Sequence, residues 1–183
     1  MTQVQMSHSA SARSDHEEHM QRHTISLLVE NKFGAFIRVA GLFSAKGYNI
    51  DSITVGPTEE DGVSGMTIVT RGDDQIIEQI IKQLHKLIDT VKVVDLTFEN
   101  FVERELVLVK VHTTAETRSE IMQIAEIFRA KVVDISPKTL TLEATGGQLK
   151  VDAIIKMLKP FAIKEIARTG RVALKREFQG EVE

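Results

Sequence analysis

The residues best placed to do chemistry are two asparagines and a glycine: Asn31, Gly34 and Asn49. They lie in ENKFGAFIRVAGLFSAKGYNIDSITVGPT, the stretch from Glu30 to Thr58. Gly34 stands where the chain must turn to start a helix, and Gly47 where that helix must stop. Backbone N–H groups at such a start can take a carboxylate. An asparagine amide oxygen can take an ammonium group. The combination would hold a free amino acid. The same residues also fit a purely structural role, with Asn31 as a turn residue and Gly34 as a backbone necessity.

Other chemistries find less support. No Ser-His-Asp or paired-carboxylate arrangement stands out, and there is no Walker or GxGxxG motif. His85 and His112 are isolated. Glu59, Glu60 and Asp61 are consecutive in a loop, which reads as a solvated turn rather than a metal site. A phosphatase on this kind of fold would need a phosphate-cradling loop with a buried arginine. The Asn31 turn contains none, and Arg38 falls one helical turn later. RNA recognition on a β-sheet needs aromatics on the central strands. The candidate strands TISLLV and GMTIVT have none, and the net charge of −3 supplies no basic field.

With 183 residues the chain has room for one large or two small domains. There is no cysteine, which excludes disulfides, thiolate nucleophiles and cysteine–zinc sites. No apolar run approaches the roughly 20 residues of a membrane span. The N-terminus lacks a secretory h-region, and Asp15, Glu17 and Glu18 argue against a transit peptide. These features predict a cytoplasmic protein that binds neither nucleic acid nor membrane. Residues 1–22 are polar and without periodicity, predicting a disordered tail. His8, His16, His19 and His23 lie in or beside it, with no spacing that fits a metal site.

From residue 23 the pattern is strict. Ile25, Leu27 and Val29 alternate with Thr24, Ser26 and Leu28, predicting a strand. Phe36, Val39, Ala40 and Phe43 recur at helical spacing. Ile37 and Leu42 widen that apolar face beyond one stripe. Strands are expected over 50–55, ended by Gly56-Pro57, and over 66–70. Asp73 or Asp74 can cap a helix with Ile76, Ile77, Ile80, Ile81, Leu84, Leu87 and Ile88 inward and a Glu78–Lys82 pair outward. A strand over 91–98 completes a βαββαβ order.

The order then repeats. Val107, Val109 and Val111 mark a strand. Thr117 and Glu120 predict a capping box for a helix with Ile121, Ile124, Ala125 and Phe128 inward. Strands over 132–135 and 140–144 flank Ser136-Pro137-Lys138. Gly146-Gly147 precede a helix faced by Val151, Ile154, Ile155 and Leu158 and stopped by Pro160. A last strand runs from Ile163 towards Leu174, broken near Gly170. The expected class is α+β, with two tandem ferredoxin-like domains over 23–98 and 102–177. In each, two helices cover one face of a four-stranded antiparallel sheet. The other face and the edges invite pairing with a second copy, so a homodimer is expected.

The segment 23–98 resembles an ACT domain, a small-molecule-sensing βαββαβ module. ISLLVENKFGAFIRVAGLFSAKGYNIDSITVGPT, MTIVTRGDD, IIKQLHKLIDTVKVVDLT, VERELVLVKV and EIFRAKVVDISP, in this order, are similar to the regulatory (small) subunits of acetolactate synthase, also called acetohydroxyacid synthase. The resemblance runs from residue 23 to about 176.

It implies a non-catalytic regulatory subunit of branched-chain amino acid biosynthesis. Such a subunit has no cofactor of its own and activates a catalytic large subunit that carries thiamine diphosphate, FAD and magnesium. It also implies feedback inhibition by valine, with leucine or isoleucine as other possible effectors, bound between paired ACT domains. Carried over by motif position, the effector turn is Asn31, Gly34, Ala35 and Phe36. Asn49 and Ile50 face it from the neighbouring protomer. A stand-alone amino-acid sensor acting on another enzyme or regulator is the alternative that the ACT segment alone allows.

Overall fold

Strand β1, Gln21–Glu30, alternates over 25–29 as its sequence predicts, with Ile25, Leu27 and Val29 buried. It starts two residues inside the expected tail, because Gln21 and Arg22 pair with Gly72 and Arg71 of the neighbouring strand. The computed structural model describes residues 21–177. Residues 1–20, which hold most of the expected tail and His8, His16 and His19, lie outside the described residues, as do residues 178–183.

After β1 come α1 (Ala35–Lys46), β2 (Ile50–Pro57), β3 (Val63–Gly72), α2 (Asp74–Leu84) and β4 (Thr90–Asp95). The sheet order is β2-β3-β1-β4, with every pair antiparallel. One core joins Ile25, Leu27 and Val29 of β1 and Met66 and Ile68 of β3 to Val39 and Phe43 of α1 and Ile77, Ile80 and Leu84 of α2. Two helices on one sheet face follow from this shared core. Helix α1 is bounded by glycines in the left-handed conformation, Gly34 at φ 83° and Gly47 at φ 70°, where other residues pay about 1–2 kcal/mol. Asp73 caps α2 by accepting from Ile76 N–H at 2.8 Å. Glu78 and Lys82 pair across one turn of α2.

The chain divides into two compact units between Asn100 and Phe101. The second has β5 (Phe101–His112), α3 (Arg118–Ile127), β6 (Lys131–Ile135), β7 (Thr139–Gly146) and α4 (Gln148–Leu158). A 3₁₀ turn at Lys159–Phe161 contains Pro160, and β8 (Ile163–Arg168) and β9 (Val172–Lys175) follow. The sheet order is β6-β7-β5-β8, with β9 also on β5. The chain breaks between β8 and β9 at Gly170, whose φ is 78°. Val107, Val109 and Val111 pack against Ile121 and Ile124 of α3 and Val151, Ile154 and Leu158 of α4.

Several boundaries differ from the sequence expectation. Strand β3 starts at Val63, three residues before Met66, because its polar Ser64 pairs with Pro57 in the ladder. Helix α2 stops at Leu84, where the Thr90 hydroxyl donates to the Leu84 carbonyl at 2.8 Å. Leu87 therefore packs on the core from a loop, and Ile88 is exposed. Strand β4 ends at Asp95, whose carboxylate accepts from Thr97 N–H and turns the chain out. The Thr117–Glu120 capping box does not form. Thr114 takes that role instead, its hydroxyl accepting from Thr117 N–H at 3.3 Å and its carbonyl from Arg118 N–H at 3.1 Å.

His23 is not a solvated tail residue. It sits fully buried in β1, with Nδ1 3.5 Å from Asp95 Oδ2 and its ring edge-on to Phe98.

Candidate functional site: the turn before α1

The turn from Asn31 to Gly34 is tied down by backbone bonds. Glu30 N–H donates to Asp89 O at 2.8 Å, and Asn31 N–H to Gly62 O at 2.7 Å. Lys32 N–H donates to Glu30 O at 2.8 Å. The side chain of Asn31 is exposed, and Phe33 is 99% exposed, so the turn presents its side chains outward.

The amides at the start of α1 are not all available. Ala35 N–H is committed to Lys32 O at 3.1 Å, and Arg38 N–H to Gly34 O at 2.9 Å. Among the described residues, no group accepts from Phe36 N–H or Ile37 N–H, the amides that a helix start leaves unsatisfied. A ligand carboxylate would meet these two rather than Ala35. The side chain of Ala35 is buried in the core, while Phe36 is 45% exposed beside the turn.

Two charged residues not singled out in the sequence as site residues converge here. Arg38 Nε donates to Asp89 Oδ2 at 2.5 Å, and Arg38 Nη2 to Phe33 O at 3.4 Å. Asp89 is buried. A Cβ built on Gly34 would lie 3.0 Å from Arg38 Nη1, so the guanidinium covers the turn where a side chain would stand. Lys32 pairs with Glu30 at 2.5 Å. That hydrogen bond, and then the coulombic attraction of the same carboxylate, hold Lys32 above its ordinary 10.5.

Asn49 and Ile50 are not beside Asn31. Strand β1 pairs Glu30 with Val63, whereas β2 pairs Ile50 with Thr70, at the other end of β3. Thr70 lies seven positions beyond Val63, and at about 3.4 Å per step this is roughly 24 Å. Asn49 has its own polar setting. Its Nδ2 donates to Asp51 Oδ1 at 3.2 Å, while Asp51 Oδ2 accepts from Arg22 Nε at 3.1 Å and Arg71 Nε at 2.9 Å. With Nδ2 turned to Asp51, the Asn49 amide oxygen is the group left to accept from an ammonium. Ile50 is half-buried against the core.

The remaining polar candidates form no second centre. Glu59, Glu60 and Asp61 are exposed in the β2–β3 turn, and His85 and His112 are exposed. Among the described residues, no group of three or more His, Cys, Asp or Glu could hold a metal ion. No helix among them is long and apolar enough to cross a membrane.

Fold and turn together define an ACT-domain protein extended by a second ferredoxin-like domain. Residues 25–92 match the model of the AHAS small subunit-like ACT domain, and residues 104–177 that of the small subunit of acetolactate synthase. The acetolactate synthase small subunit of Aquifex aeolicus is 54% identical over 159 residues, covering 86% of this chain and 83% of its own length. The probable acetolactate synthase small subunit of Archaeoglobus fulgidus is 54% identical over 155 residues, covering 85% of this chain and 97% of its own. The crystal structure of the small subunit from Thermotoga maritima matches with a TM-score of 0.78 at 47% identity, over 85% of this chain and 98% of that one. The chain belongs to the acetolactate synthase small-subunit family and is a regulatory subunit whose partner is a catalytic large subunit.

Proposed function

We propose that this chain activates the acetolactate synthase catalytic subunit and makes it sensitive to L-valine, or to leucine or isoleucine, bound between the ACT domains of a homodimer. In this reading the small subunit brings no cofactor; thiamine diphosphate, FAD and magnesium belong to the catalytic subunit. The observation that supports it best is the placement of Asn31 and Asn49 at opposite ends of β3. Roughly 24 Å is far longer than a free amino acid. If both amides hold one ligand, they come from two chains. Phe36 and Ile37 N–H then take the carboxylate, and the two asparagine oxygens take the ammonium. Ile50 adds an apolar wall for the side chain. A stand-alone sensor would leave the family match of residues 104–177 without a purpose.

A ligand that bridges two ACT domains favours one packing of the dimer over another. Inhibition follows when the catalytic subunit prefers the other packing. Such coupling is typically about 1–3 kcal/mol, and it is reciprocal. Acetolactate formation by the catalytic subunit is therefore expected to rise when this chain is added and to fall again with L-valine. Calorimetric titration should show valine binding several-fold weaker to the complex than to this chain alone. Equal affinity in the two titrations would contradict the equilibrium model. No change in rate on adding the chain would contradict the assignment as activator.

A further inference from the structure

We propose that Arg38, fixed by Asp89, is the residue that makes the effector turn select a ligand bearing a carboxylate. The inference rests on the reading of Asn31–Phe36 as the effector turn and adds to it a cation with donors to spare for a carboxylate, since the turn's own Lys32 is paired with Glu30.

Ala35 N–H is already committed to Lys32 O. Two cations stand nearby. Lys32 is on the surface and is matched by Glu30 in a one-to-one pair. Arg38 is different. A guanidinium has five N–H donors. Arg38 Nε goes to Asp89 and one Nη2 hydrogen points at Phe33 O, which leaves donors on Nη1 and Nη2. Its side chain is 42% exposed, so an incoming group can reach it, while that of Asp89 is only 8% exposed and anchors it from below. Nη1 stands within 3.0 Å of the Cβ position that Gly34 leaves empty. The guanidinium fork suits a carboxylate in geometry as well as charge. Asp89 has a second tie to the turn through its carbonyl, which accepts from Glu30 N–H. Asp89 is thus a positioning residue: it sets the Arg38 fork at a fixed height over the turn.

The test compares L-valine with L-valinamide, which keeps the ammonium and isopropyl groups and replaces the carboxylate. Both are titrated calorimetrically, to high millimolar concentration, into the full chain and two variants. Arg38→Gln removes the charge but leaves Asp89 buried without its partner, which endangers the fold. The double variant Arg38→Gln/Asp89→Asn removes both charges and keeps two amides that can hydrogen-bond each other. In either folded variant, valine affinity is expected to fall at least tenfold while valinamide affinity changes less than twofold. The preference for the carboxylate then collapses. Valine and valinamide weakened by the same factor, or neither weakened, would overturn the proposal while leaving the effector turn standing. A wild-type chain that binds none of valine, leucine and isoleucine would overturn the effector reading and this inference with it.

Discussion

Gly34→Asp is expected to abolish inhibition by valine, whereas Gly34→Asn should retain a weakened response. Any residue other than glycine at φ 83° carries backbone strain. Asparagine and aspartate are the two that visit this region most readily, so they share that cost. Both also place a Cβ 3.0 Å from Arg38 Nη1, a side-chain tip that can shift. What separates them is charge. The aspartate can pair with Arg38 and would set a carboxylate against that of the effector. Losing one partner of a buried charge pair costs about 2–5 kcal/mol; with the Arg38 side chain 42% exposed the lower end is expected, and about 2 kcal/mol is already roughly thirtyfold in affinity. The readout is the ratio of rates with and without valine for each reconstituted enzyme. Equal loss in both variants would assign the effect to backbone strain. Persisting inhibition at ordinary valine levels in Gly34→Asp would remove the turn from the effector site.

The second large effect lies in the other unit. Glu105 in β5 is 3% exposed and takes two hydrogen bonds from Arg168 of β8, at 2.7 and 2.8 Å. This hydrogen-bonded carboxylate raises Arg168 above its ordinary value. Arg168→Ala would leave Glu105 buried without its cation, and such a loss costs about 3–5 kcal/mol for a fully buried pair. Arg168 is itself 40% exposed, so water can answer part of the charge. The lower end of that range is therefore expected. Hydrogen exchange should show β5 and β8 opening more easily, with protection over β1–β4 unchanged. Replacing both partners, as in Glu105→Leu/Arg168→Met, should recover most of the loss, because an apolar pair leaves no charge stranded. If Arg168→Ala exchanges like the wild type, the pair contributes nothing to the unit.

Much of this was legible in the sequence because the information was local. The alternation of Ile25, Leu27 and Val29, the helical spacing of Val39 and Phe43, the Asp73 cap and the break at Gly170 each depend on a few neighbouring residues. The errors arose where partners are distant. His23 looks like one more tail histidine until β1 pairs with β3 and β4 and buries it. Ser64 looks like loop until it pairs with Pro57. Thr117 followed by Glu120 satisfies the capping pattern, but Thr114 reaches the same amide first. Gly34 and the asparagines are singled out for the candidate site by residue type alone. The Arg38–Asp89 pair spans 51 residues and the Arg22–Asp51 pair 29, and no spacing rule connects them. The placement of Asn31 and Asn49 at opposite ends of β3 emerged only from strand register.

That placement gives the most direct test of a site shared between two chains. Gly34→Asp damages one half of each site and Asn49→Ala the other half. A heterodimer with one variant in each chain, prepared with two tags, would carry one doubly damaged site and one intact site. The account predicts that this heterodimer binds L-valine with wild-type affinity at half the wild-type stoichiometry, while neither parent homodimer binds it appreciably. A heterodimer that binds no better than its parents would contradict a site built from two protomers.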